Sequence, residues 1–365
     1  MSQNIIFTIA AFVISMLSGF VMIPQILNYC KQKNLYDIPN ERKVHKNAIP
    51  RLGGLCFMPS MLLAFLLAMA VFGRVSGKEQ ITLNLWSAFF FISLMLIYGV
   101  GIIDDIIGLG ARTKFMVQIA AAALVSFSGL YINNLYGLFG VTEIPAYLGI
   151  PISIFVIVFI DNAINLIDGI DGLAGGLAFL ALGGFLICFA REGVWTYCIL
   201  ISGLMGVLIP YLYFNIFGNA EKNRKIFMGD SGSLTLGFIL GFLFVKFAMD
   251  NPQVMSYRTD GLMLSLTLLL VPMFDVVRVV FVRLYKKQHL FQADKNHIHH
   301  RLMQTGLSQH QSLLVILALA FFYVAINILL FQFMQLSITI IIAIDVVVYA
   351  LFHYLLEWRI QMQNS

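Results

Sequence analysis

Apolar runs of about twenty residues follow one another along almost the whole chain, and no other feature narrows its fold as far. A bilayer core about 30 Å thick is crossed by roughly 20 apolar helical residues. Eleven segments meet that length: 4–28, 51–73, 83–103, 115–131, 145–161, 173–190, 195–214, 232–249, 261–282, 311–331 and 335–356. Only 11% of the residues are charged and 60% are hydrophobic, whereas soluble domains carry about 25% charged residues. The reading is an all-α polytopic membrane protein of about eleven transmembrane helices, one domain over residues 1–365. The run starting at Asn4 is long enough to span and has no basic segment before it, so no cleavable signal peptide is expected.

Charge placement orients these spans. With the N-terminus outside, the connections 29–51, 104–114, 162–172, 215–231 and 283–310, the C-terminal tail and Arg278 face inward. They hold eighteen of the 23 Lys and Arg residues, leaving Arg74, Lys78, Arg191, Lys246 and Arg258 toward the outside. Basic loops stay in the cytoplasm. The outer connection 130–151 has Tyr, Ile and Val on either side of Gly137 and Gly140, which predicts a small hairpin. Pro272 removes a backbone hydrogen bond inside the ninth span and should kink or break it. Cys30, Cys56, Cys188 and Cys198 form no CxxC pair and are expected to be buried thiols.

Four polar clusters then fall at inner ends of spans. The third span ends in GIIDDIIGLGARTKF, with Asp104, Asp105 and Lys114. The fifth runs into NAINLIDGIDGLAGG, the eighth is preceded by FMGDSGSLTLG with Asp230, and the ninth leads to ADKNHIHHRL. If the fifth helix continues through its motif, Asp161, Asn165 and Asp168 recur at i, i+4 and i+7 and line one stripe, with Asp171 about a turn beyond. Such a stripe is costly against lipid and belongs in a wet cavity, where its oxygens suit Mg²⁺ or Mn²⁺. Each cluster has an ordinary reading: an acidic pair as a cap, GDSG as a turn and N-cap, histidines as surface decoration or a zinc site. Four at one face make those readings together improbable. A transporter for an anionic solute is the rival from another class. Its site would lie near the midplane, where this chain offers Asp275, one turn from Arg278, and a stranded Asp345.

DDIIGLGARTKF, NAINLIDGIDGLAGG, FMGDSGSLTLG and HIHHRL resemble the polyprenyl-phosphate N-acetylhexosamine-1-phosphate transferases, in the undecaprenyl-phosphate N-acetylglucosamine-1-phosphate branch. The likeness runs from HKNAIPRLGG, starting at His45, to HIHHRL. The related muramoyl-pentapeptide transferases, the alternative within the class, carry a PxHHHFE-like stretch where this chain has HIHHRL. That departure favours a plain amino sugar.

The resemblance implies transfer of a sugar-1-phosphate from a UDP-amino sugar to a polyprenyl phosphate at the inner face of a bacterial plasma membrane, starting a lipid-linked cell-envelope glycan. No nucleic-acid partner is implied, and a homodimer is left open. Two anionic reactants call for a divalent ion, Mg²⁺ or Mn²⁺, and for basic groups. Asp230 is the expected metal ligand, with Asn165 as its partner. Asp104, with Asp105 beside it, is expected to engage the lipid phosphate as base or orienting group, Lys114 to bind phosphate as a point charge, and Asp168 to belong to the catalytic set. By resemblance Lys46, Asp171, Asn215 and Phe227 surround the uridine, and His297, His299, His300 and Arg301 meet the sugar and diphosphate. A single displacement is favoured, because the lipid phosphate is itself an oxygen nucleophile.

Overall fold

A computed structural model describes residues 3–37, 48–75, 85–289 and 295–364, which leaves Lys46 outside the described residues. The chain is built from α1 (Gln3–Lys33), α2 (Phe57–Val75), α3 (Leu85–Ile107), α4 (Ala111–Phe127), α5 (Ala146–Ile167), α6 (Leu173–Arg191), α7 (Trp195–Ile216), α8 (Asp230–Ala248), α9 (Gly261–Leu268), α10 (Leu270–Tyr285), α11 (Ile298–Gln304), α12 (Gln309–Gln332) and α13 (Ile338–Asn364). Two short antiparallel ribbons complete it: β1 (Tyr36–Asp37) with β2 (Ile49–Pro50), and β3 (Asn134–Leu138) with β4 (Val141–Glu143).

Nine helices among the described residues are long and apolar enough to cross a membrane, and α9 with α10 forms a further candidate bent by 69°. The remaining predicted segment, 115–131, is covered by α4, a 17-residue helix that starts four residues earlier and so carries Lys114 in its first turn. The break between α9 and α10 falls at Leu269, three residues ahead of Pro272. Proline fits the first turn of a helix, where its missing N–H is an orphan in any case. The helix therefore restarts around Pro272 instead of kinking at it.

At the centre stands α8, every residue of its spanning stretch buried, packed against α3, α5, α6 and α9. A Cβ at Gly237 would sit 2.6 Å from the Cα of Asp161, and one at Gly241 would sit 3.0 Å from that of Ile157. These glycines let the α5 and α8 backbones meet, the small-residue packing expected where lipid gives helices no hydrophobic incentive to associate. The predicted hairpin is present as β3 and β4, turning through Phe139 and Gly140, both at positive φ. That pair of conformations matches the twist of a two-residue hairpin. Asp345 is not stranded: Asn327 of α12 donates to it at 2.9 Å and to Thr267, at the end of α9, at 3.0 Å.

Candidate active site

The four motifs meet around one cavity of about 950 Å³ at one end of the bundle, with Asp104, Asp105, Asp168, Asp171, Asp230 and His300 among its lining residues. Asp104 and Asp105 are adjacent in sequence and do different things. The Asp105 carboxylate accepts from the backbone N–H of Asp230 at 2.8 Å and of Ser231 at 2.9 Å, capping α8. Helix N-termini leave such donors orphaned and attract negative charge. Gly229 is required there: it holds φ at +72°, and a Cβ would lie 2.6 Å from an Asp105 carboxylate oxygen.

Asp104 accepts from the Leu109 N–H at 2.6 Å through Oδ1 and from Lys114 Nζ at 3.3 Å through Oδ2. Lys114 also donates to Asp230 Oδ2 at 2.5 Å. Asn165 places its Nδ2 3.3 Å from Asp230 Oδ1 and 2.8 Å from Ser233 Oγ. One linked row thus joins Asp104, Lys114, Asp230 and Asn165, drawn from α3, α4, α8 and α5.

The expected stripe on the fifth helix does not form. α5 ends at Ile167, and Asp168, with φ −72° and ψ +64°, has left the helix. Asp161 faces away from the cavity, fully buried against α8, where Gln118 of α4 donates to it at 2.9 Å. Asn165 sits between these two environments. Asp168 makes no hydrogen bond or ion pair among the described residues. Burial, and then the neighbouring carboxylates of Asp230, Asp171 and Asp105, push its pKa from 3.8 up to about 7.

Further round the cavity, Asp171 is held by Lys225 Nζ at 2.6 Å. Asn215 is 2% exposed and both ends of its amide are taken by backbone, accepting from Gly172 N at 2.6 Å and donating to Ile226 O at 2.8 Å. It fixes the two loops that face each other there. Phe227 lines the cavity on a segment hydrogen-bonded to Pro50 and Gly53.

The histidine motif divides. His300 lines the cavity. His299 is buried against Gly169 with neither ring nitrogen partnered, and burial, followed by the charge of His300, lowers its pKa to about 3, so it is neutral. His297 points backward, its Nδ1 2.7 Å from Asp275 Oδ2, while Asp275 Oδ1 accepts from Ile298 N at 2.9 Å. Arg301 does not line the cavity: it pairs with Glu357 of α13 and donates to Gln304. Arg278 pairs with Asp275 across 3.6 Å and also donates to Asn296 O. Arg51, Lys225 and His310, which no sequence motif marks as site residues, also line the cavity. Lys225 ends a basic run and Arg51 precedes Gly53–Gly54, but neither placement was readable without knowing what the loops pack on.

Among the described residues no three His, Cys, Asp or Glu side chains gather into a ready metal site. The donors present still fit Mg²⁺, which retains waters and is bound by one or two carboxylates together with substrate phosphates. Asp230 offers a carboxylate, the Asn165 amide lies beside it with its Nδ2 3.3 Å from Oδ1, and the Asp168 carboxyl is near enough to feel the charge of Asp230.

The family model for glycosyl transferase family 4 matches residues 86–248, the stretch that carries the acidic pair, the fifth-helix motif and GDSG. A Bacillus subtilis (strain 168) protein named "probable undecaprenyl-phosphate N-acetylglucosaminyl 1-phosphate transferase" is 32% identical over 324 residues, 88% of this chain and 85% of that one. Undecaprenyl-phosphate alpha-N-acetylglucosaminyl 1-phosphate transferases of Yersinia pestis and Escherichia coli K12 are each 26% identical, over 89% and 82% of this chain and 86% and 77% of theirs. With its four motifs around one cavity and this likeness along most of its length, the chain belongs to glycosyl transferase family 4, among the polyprenyl-phosphate N-acetylhexosamine-1-phosphate transferases.

Proposed function

We propose that the protein transfers N-acetylglucosamine-1-phosphate from UDP-N-acetylglucosamine to undecaprenyl phosphate at the cytoplasmic face of a bacterial plasma membrane, releasing UMP. The observation that carries this reading is the meeting of four motifs, far apart in sequence, around one cavity at the end of a membrane bundle. A soluble nucleotide sugar and a lipid headgroup can reach each other only at such an interface. The relatives' names supply the sugar and the lipid.

In this reading an oxygen of the lipid phosphate attacks the β-phosphorus of the nucleotide sugar. The bond from that phosphorus to the bridging oxygen breaks, and UMP leaves with the bridging oxygen. A phosphate monoester is largely dianionic near neutrality, its second pKa being about 6, so positioning matters more than proton removal. Asp104, engaged on both carboxylate oxygens, orients Lys114. Lys114 brings positive charge to the phosphates. Asp105 holds the first turn of α8, and with it Asp230, in place. Asp230 and Asn165 would hold Mg²⁺, which supplies charge neutralisation to the phosphates when bound. Phe227 offers a ring face to the base, with the Asp171–Lys225 pair beside it, and His300 reaches the diphosphate end.

Purified protein in detergent, given a panel of UDP-sugars with and without undecaprenyl phosphate, tests the reading. The expected result is UMP release that needs the lipid and is fastest with UDP-N-acetylglucosamine. Lipid-independent release, or indifference to the amino sugar, would defeat it.

A further inference from the structure

Arg51 lines the cavity but belongs to none of the four motifs around it. Its backbone is fixed on both sides: Pro50 O accepts from Phe227 N at 2.7 Å, and Gly53 N and Gly54 N donate to Phe227 O and Met228 O at 2.9 and 2.8 Å. A Cβ on Gly54 would overlap the backbone of Gly232, so this segment packs directly against the first turn of α8. The side chain is fixed as well. Its Nε donates to the backbone carbonyl of Asp105 at 2.8 Å. That carbonyl lacks its helical partner, because Leu109 N turns to Asp104 Oδ1 instead.

Closing the end of α3 uses one of the five N–H donors of the guanidinium. No carboxylate among the described residues pairs with the others, although five aspartates edge the same cavity. The neighbouring lysines differ: Lys114, behind the lining, bridges Asp104 and Asp230, and Lys225 holds Asp171. Nor can the N-terminus of α8 serve an incoming anion, since Asp105 already occupies its first amides. Among the described lysines and arginines at the cavity, Arg51 alone is prepositioned and lacks a carboxylate partner.

We propose that Arg51 is a phosphate-binding residue of the transfer reaction, its planar fork taking two oxygens of a substrate phosphate. The inference rests on the function proposed above. Both substrates carry the required chemistry, the nucleotide sugar as a diphosphate and the lipid as a monophosphate.

Steady-state kinetics of Arg51→Lys and Arg51→Gln, varying each substrate at saturation of the other, test the proposal. Loss of the fork should raise KM for one substrate by roughly ten- to a hundredfold, the other KM staying within about twofold. Lysine, which keeps the charge without the fork, should fall between wild type and glutamine. A shift confined to UDP-N-acetylglucosamine places Arg51 on the diphosphate, and one confined to undecaprenyl phosphate places it on the lipid headgroup. Both KM values unchanged, or both raised together with a lowered melting temperature, would show that Arg51 only closes α3 and would overturn the proposal. If the glutamine variant does not accumulate, the lysine variant decides alone, by the same split. Failure of the wild type to release UMP would instead reject the underlying function, so the two failures are distinct.

Discussion

Asp168 makes no hydrogen bond among the described residues, and its chemistry follows from that. Burial and three neighbouring aspartates place its pKa at about 7, above its ordinary 3.8. Folding therefore favours its neutral form. The penalty for ionising it is absent below about pH 4, grows as pH rises toward 7 and is complete above that. Asp168→Asn should accordingly raise the melting temperature of the metal-free protein, most at pH 8, less at pH 5 and hardly at all near pH 4. An equal effect at all three pH values would mean that the carboxyl is not strained. Asp105 and Asp104 show why residue roles resisted the sequence. Neighbouring positions on a helix point about 100° apart, and only the packing of α8 decides which of the two meets its N-terminus. The acidic pair was legible as a site, but its division into a helix cap and a lysine partner was not. The stripe failed at both ends: the chain leaves the helix at Ile167, which removes Asp168 from it, and Asp161, still helical, packs against α8 and Gln118.

At the scale of elements, α11 depends on its neighbours, because seven residues are too few to hold a helix by themselves in water. Asp275 of α10 ties down its start through His297 and Ile298. The C-terminal end of α13 ties down its far side, through Glu357 to Arg301 and through Gln363 to the carbonyl of Thr305 at 3.0 Å. Arg301 is therefore expected to act on His300 by position, through α13. Arg301→Glu and Glu357→Arg should each lower kcat/KM by roughly tenfold, and the exchanged double variant should recover most of the loss. An Arg301 that touches substrate would give no recovery. The spanning helices themselves were legible from length and apolarity, properties local to each segment. The anchoring of α11 to α13 joins residues 56 apart in sequence, and nothing in the HIHHRL motif announces it. The break at Leu269 was anticipated through Pro272, although proline marks the restart of the helix there.

For the whole molecule, the fully buried α8 explains how one site can draw on motifs spread over nearly 200 residues. Its first turn presents Asp230 at the cavity, and α3, α5 and the 49–54 segment all close on that turn. Asp230→Asn should abolish Mg²⁺-dependent turnover with little change in expression or detergent stability, since Asp105, not Asp230, caps the helix. Near wild-type rates for this variant at limiting Mg²⁺ would remove Asp230 from the metal site. The central claim is that the cavity moves a sugar together with its phosphate. UDP-N-acetylglucosamine carrying radioactive phosphorus at the β position, incubated with the protein, Mg²⁺ and undecaprenyl phosphate, reads this directly. The label should enter the lipid fraction, and the released nucleotide should be unlabelled UMP. Label retained in released UDP, with the sugar alone on the lipid, would contradict that claim.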